Sequence, residues 1–160
     1  MPWNESDVTI DGGVRLRVYR RGSGPQILLA HGATDSGPCW ERVAAALEPD
    51  HELIAYDARF HGKSDAPSDG VLGGGGDLLA VANALGLERP ALLGHSMGAN
   101  TVAQAAATNP ARFRCAILED PPWWAEPPAG RRGPAMDYSQ LSVEQIASEG
   151  RKMSPGWDET

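Results

Sequence analysis

No histidine follows position 96 in this chain of 160 residues; the four stand at His31, His51, His61 and His95. Cysteine is nearly absent. Cys39 and Cys115 make neither a C-x-x-C motif nor a disulfide framework, and Cys115, heading an apolar run, reads as a small buried hydrophobe. No basic run stands out, Arg131-Arg132 being too short to count, and the net charge of −7 argues against nucleic acid or an anionic membrane as the main partner. No apolar stretch approaches the roughly 20 residues that span a bilayer. The opening residues, Met1-Pro2-Trp3-Asn4-Glu5, lack the basic and apolar parts of a secretion signal. The expectation is a soluble, cytoplasmic protein without metal or organic cofactor.

What is present is a core. Apolar residues make up 41 % of the chain, too many for a disordered segment. Val14, Leu16 and Val18 alternate with Arg15 and Arg17, the period of a half-buried strand. Val8 and Ile10 predict a shorter strand before it, with Asp11-Gly12-Gly13 as the hairpin turn. Then the pattern changes to unbroken apolar runs, as in strands covered on both faces: Ile27 to Ala30, Leu53 to Tyr56, Ala91 to Leu93 and Ala116 to Leu118. Helical faces separate them. Trp40, Val43, Ala44 and Leu47 mark the first; Leu78, Leu79, Ala82 and Leu85 the second, with Gly86 placed to end it; Val102, Ala103 and Ala106 the third, stopped by Asn109-Pro110. This predicts an α/β fold: a mostly parallel sheet with helices on both faces and an N-terminal antiparallel hairpin. The Gly73 to Gly76 run is unfavourable in a helix interior, so the second helix is predicted to start no earlier than Asp77, acting as its cap. Residues 121–160, with one helix-like stretch from Val143 to Lys152, read as an excursion out of the sheet.

Chemistry concentrates at Gly94-His95-Ser96-Met97-Gly98. A serine hydroxyl is a weak nucleophile until a base takes its proton, and it must stand clear of the sheet for a carbonyl to approach. A sharp strand-to-helix turn with small flanking residues does this, and G-x-S-x-G after an apolar run and before a helix is its signature. The turn also aims the Met97 N–H at a forming oxyanion. His31-Gly32-Ala33 ends an earlier strand, where the Ala33 N–H is placed to be the second oxyanion donor; His31 itself reads as fixing loop geometry. Asp57 and Arg59 read as hydrogen-bonding groups that hold the next loop. His61 suits loop structure better than catalysis, His95 is expected to diverge from Ser96, and His51 to be exposed. Asp120, with Glu119 as the alternative, lies at a strand end on the serine's rim. There it could orient a histidine or brace the Pro121-Pro122 turn. Trp123 and Trp124 either wall an apolar substrate pocket or join a lid to the sheet.

His31-Gly32, Asp57 to Ser64 and Gly94 to Gly98, in that order, resemble the α/β-hydrolase superfamily over nearly all of residues 8–122. The resemblance implies that 1–122 is the N-terminal part of such a core and 123–160 the start of a lid or cap. It implies Ser96 as nucleophile and the Ala33 and Met97 amides as oxyanion hole. The function implied is a serine hydrolase acting on an ester or related carbonyl-adjacent bond of a small molecule through an acyl-enzyme. Relatives acting on epoxides use aspartate at the elbow, which disfavours that substrate here. Two departures stand out. Phe60 occupies a place where the family has glycine, predicting a differently shaped loop. The family also places two more strands and the catalytic histidine after the lid, so the expectation is an incomplete α/β-hydrolase fold, inactive or weakly active alone. The alternative is a non-catalytic module that binds a ligand or partner. An incomplete sheet leaves Ala116 to Leu118 as an open edge, predicting self-association or pairing with a complementing C-terminal fragment. Sedimentation of the purified chain as a clean, stable monomer would contradict this.

Overall fold

The computed structural model describes residues 2–123, together with 142, 145 and 148. Met1–Trp123 forms one compact unit and Trp124–Thr160 a second. In the first, Asn4–Thr9 (β1) and Arg15–Gly22 (β2) pair antiparallel with Thr9 opposite Arg15. The turn between them needs its glycines, since Gly12 and Gly13 take φ of 80° and 76°. Four strands follow: Gln26–Ala30 (β3), Glu52–Tyr56 (β4), Ala91–His95 (β5) and Ala116–Glu119 (β6). All six join one sheet in the order β1-β2-β4-β3-β5-β6. β2 meets β4 antiparallel, whereas β4, β3, β5 and β6 run parallel to one another. The expected mixed α/β architecture is therefore observed.

Helices cover both faces because inward side chains alternate along each strand. Leu16, Val18, Leu28, Ile54 and Leu92 pack against Leu78, Val81 and Ala82 of Gly75–Ala84 (α2), and against Val102 and Ala105 of Met97–Thr108 (α3). On the other face, Tyr19, Ile27, Leu29, Leu53 and Ala55 pack against Trp40 and against Ala44 of Glu41–Leu47 (α1). The chain leaves β3 for β4 on one side and returns to β5 on the other. In open α/β sheets such a switch point leaves a crevice at the carboxyl ends of the two flanking strands. Here those strands are β3 and β5. No helix among the described residues is long and apolar enough to cross a membrane.

Four expectations need correction. The second helix begins at Gly75, not Asp77. Its start is set by close approach to α3: a Cβ on Gly75 would stand 2.6 Å from the Ala105 nitrogen and 2.8 Å from the Gln104 Cβ. Gly74, just before it, has φ 133°, and a Cβ on Gly73 would collide with the Asp77 carboxylate, so the polyglycine run has packing reasons. Asp77 is no cap; it is buried and paired with Arg59. β6 is not covered on both faces. It is the outer strand among the described residues, and Ile117 is 53 % exposed. Cys115, one residue before it, is exposed for the same reason. His51 is half-buried rather than exposed, with its Nδ1 enclosed and lacking a hydrogen-bond partner.

In the second unit, Ser142 and Gln145 exchange hydrogen bonds. The Ser142 N–H donates to Gln145 Oε1 at 2.7 Å, and the Gln145 N–H donates to Ser142 Oγ at 3.3 Å. This reciprocal pairing is that of a capping box. The predicted helical stretch from Val143 to Lys152 otherwise lies outside the described residues.

The α2–α3 contact is testable by urea denaturation. Gly75→Ala overpacks it and should cost about 1–3 kcal/mol. Gly76→Ala meets nothing within 4 Å and should stabilise by about 0.5–1 kcal/mol.

Candidate active site

β5 runs into α3 through a turn that has no room for side chains on its inner side. A Cβ on Gly94 would collide with the Gly98 carbonyl, and one on Gly98 with the Ala30 carbonyl at the end of β3. The bend falls on Ser96, which takes φ 51° and ψ −113°. A non-glycine residue in so sparsely populated a backbone conformation costs about 1–3 kcal/mol, and the surrounding glycine contacts hold it there. The outcome is a half-buried serine at the head of α3, where the Met97 N–H meets no acceptor among the described residues. The Ser96 N–H donates to the Glu119 carbonyl at 2.9 Å, tying the turn to β6.

The loop after β3 is oriented by two histidines. His31 is buried, and its Nε2 accepts the Ala58 N–H at 3.0 Å. Its proton therefore sits on Nδ1, which donates to the Gly32 carbonyl at 2.7 Å. The Asp35 N–H donates to the same oxygen at 3.2 Å. Carbonyl and N–H of one trans peptide point in opposite directions. Fixing the Gly32 carbonyl thus turns the Ala33 N–H outward, where it too meets no acceptor among the described residues. His61 holds the other end of Ala33, its Nε2 lying 2.9 Å from the Ala33 carbonyl, while its Nδ1 lies 2.8 Å from the Arg59 carbonyl. Both ring nitrogens of His31 are thus used by backbone, whereas a neutral His61 carries one N–H and donates to only one of the two carbonyls it faces; neither ring is hydrogen-bonded to Ser96. Burial first, and His61 nearby, lower the His31 pKa below its usual value, outweighing the Gly32 hydrogen bond.

The 57–65 loop is built around a buried carboxylate. Asp57 accepts the Gly37 N–H at 2.6 Å, the Lys63 N–H at 2.7 Å and the Tyr19 hydroxyl at 3.0 Å. Burial, then that hydrogen bond, raises the Tyr19 pKa. Arg59 forks onto Asp77 at 2.6 and 2.8 Å. Both acidic and basic residues thus hold the loop as expected. Phe60 takes φ 66°, a left-handed conformation more readily adopted by glycine.

The candidate acid and the aromatic pair resolve differently. Glu119 pairs with His95 in the β5–β6 register, so Ser96 and Asp120 stand at the ends of adjacent strands, about 4.8 Å apart in a sheet. Asp120 is exposed, bends away with φ 45°, and its carboxylate has no partner among the described residues. Trp123 is 55 % exposed, and its indole N–H donates to Asn100 Oδ1 at 3.4 Å on the first turn of α3. Trp124 lies outside the described residues. The His95 ring turns to Gly32, its Nδ1 3.9 Å from the Asp35 carboxylate.

Sequence reasoning missed Asn100, Thr101 and Gln104, which line a cavity beside Met97. Their i, i+1, i+4 spacing on one helix face was the available signal. A larger cleft, about 540 Å³, lies between the Asp11–Val14 turn and residues 65–69 and shares none of the serine, oxyanion or acid candidates.

A family model described as alpha/beta hydrolase fold matches residues 25–153. The chain is 33 % identical over 129 residues to an epoxide hydrolase of Caballeronia sordidicola, covering 71 % of this chain and 39 % of that protein. It is 33 % identical over 111 residues to a 2-(acetamidomethylene)succinate hydrolase of Mesorhizobium japonicum, covering 68 % and 40 %. The crystal structure of E-2-(acetamidomethylene)succinate hydrolase superposes with a TM-score of 0.65 at 31 % identity, over 71 % of this chain and 43 % of that one. The chain spans about two fifths of the length of the curated relatives it matches.

His31 links this site to pH. Its folded pKa lies below the unfolded value of 6.5, so below that pH the unfolded chain binds a proton the folded one refuses. Stability should therefore fall as pH drops through 6.5 toward the folded pKa. His31→Leu should cost about 1–3 kcal/mol at pH 7.5 by orphaning the Ala58 N–H. Denaturation at pH 7.5 and 5.5 should show a smaller pH difference in that variant than in the parent.

Proposed function

This chain belongs to the alpha/beta hydrolase fold family, and from that premise we propose that it carries the nucleophile and oxyanion hole of a serine hydrolase. The observation that carries the reading is Ser96 at φ 51°, with the N–H groups of Met97 and Ala33 meeting no acceptor among the described residues. The Ser96 hydroxyl adds to a substrate carbonyl and its proton passes to a base. The two amides hold the charge that gathers on the carbonyl oxygen, and the N-terminal dipole of α3 adds to them. The alcohol or related leaving group departs with a proton, and water then cleaves the acyl–serine ester to free acid. Asp120, with Glu119 as the alternative, orients the base and balances its charge.

The hydroxyl also decides between relatives. Attack of an alkoxide on an epoxide would leave an ether on Ser96, which water does not cleave, whereas attack on a carbonyl leaves a hydrolysable ester. An ester, or a bond like that of the succinate hydrolase's named substrate, therefore fits this chain better than an epoxide. No histidine is hydrogen-bonded to the Ser96 hydroxyl among the described residues, so the base is assigned to sequence outside residues 2–123 and the full reaction to a longer protein. The core at 1–122 and the lid beginning at 123 are part of the same proposal, as is pairing of β6 with a complementing fragment or a second copy.

A fluorophosphonate should form one adduct, at Ser96, and Ser96→Ala should abolish it. No adduct on the parent chain or on a longer form would instead support a ligand-binding module without turnover.

A further inference from the structure

A cavity of about 210 Å³ opens beside the elbow, bounded by Met97, by His61 and by the α3 face carrying Asn100, Thr101 and Gln104. It touches one half of the proposed oxyanion hole, Met97, and is bounded by His61, whose Nε2 lies 2.9 Å from the carbonyl of Ala33. Its polar groups are unevenly spent. Gln104 Oε1 accepts the Gly75 N–H at 3.2 Å, and Asn100 Oδ1 accepts the Trp123 indole N–H. Because both partners are donors, the oxygens are fixed, and the NH₂ groups of half-buried Asn100 and exposed Gln104 meet no acceptor among the described residues. Thr101 donates to the Met97 carbonyl at 3.2 Å. The guanidinium of Arg59 is neutralised by Asp77 at 2.6 and 2.8 Å. The cavity thus offers hydrogen-bond donors without net positive charge, in a space of about seven waters at ~30 Å³ each.

We infer that this cavity is a binding subsite for a short, neutral, hydrogen-bond-accepting arm of the substrate, a carboxamide or ester carbonyl, held by the NH₂ groups of Asn100 and Gln104. The subsite rests on the reading of Ser96 as the reacting centre for its role, but not for its occupancy. A carboxylate arm is disfavoured because the one guanidinium lining the cavity is already paired. A long aliphatic arm would strand both amides.

The test uses the full chain, ¹⁵N-labelled, titrated with N,N-dimethylpropionamide, which accepts hydrogen bonds and donates none, and in parallel with propionate. The side-chain NH₂ signals of Asn100 and Gln104 should shift and saturate with the amide, and propionate should bind several-fold more weakly. Gln104→Glu and Asn100→Asp keep the acceptor oxygens and remove the donors; each should weaken amide binding about 3- to 10-fold. Equal binding of propionate, unmoved NH₂ signals, or unchanged affinity in both variants would overturn the inference. The same titration on Ser96→Ala should give the parent affinity, so amide binding and the fluorophosphonate adduct succeed or fail independently of each other.

Discussion

Backbone meets backbone where β5 turns into α3, and the rest of the site depends on that contact. Gly98 lies so close to the end of β3 that a single added carbon would strike the Ala30 carbonyl, and Gly94 lies as close to Gly98. With both neighbours pinned, Ser96 absorbs the change of direction in a left-handed conformation that it would not choose alone. That position lifts the hydroxyl off the sheet and leaves the Met97 amide open. The strain is local, and the packing of α3 through Ala99, Val102 and Ala105 holds it in place.

The opposing loop reaches a compatible geometry without strain at its donor. There, two imidazoles do by hydrogen bonding what the glycines do by close contact. His31 fixes the peptide plane before Ala33, and His61 fixes the carbonyl after it. Two of the four histidines thus serve as scaffold, and none of the four is hydrogen-bonded to Ser96 among the described residues.

Much of the fold was readable because each strand announces itself. Arg15 to Val18 alternate, Ile27 to Ala30 do not, and the difference separates the half-covered hairpin from the buried parallel strands. The elbow was readable because two glycines at fixed spacing meet a steric demand. What was not readable depended on contacts distant in sequence. The start of α2 is set by Gln104 and Ala105, 29 and 30 residues beyond Gly75. Cys115 is apolar by type yet exposed, because it adjoins the open edge at Ala116 to Leu118 that the incomplete sheet implied. Phe60 stands where glycine was expected and takes a left-handed φ, its N–H donating to the Asp65 carbonyl at 3.0 Å.

One hydrogen bond couples the Ser96 bend to the margin of the sheet. The amide of Ser96 is the last rung of the ladder to the outer strand among the described residues, ending on the Glu119 carbonyl. Fraying of that strand would slacken the bend from outside, even with its glycine contacts intact. Whatever seats against the rim of β6 therefore also governs how firmly the Ser96 hydroxyl is presented, making an edge contact a control on a turn one strand away.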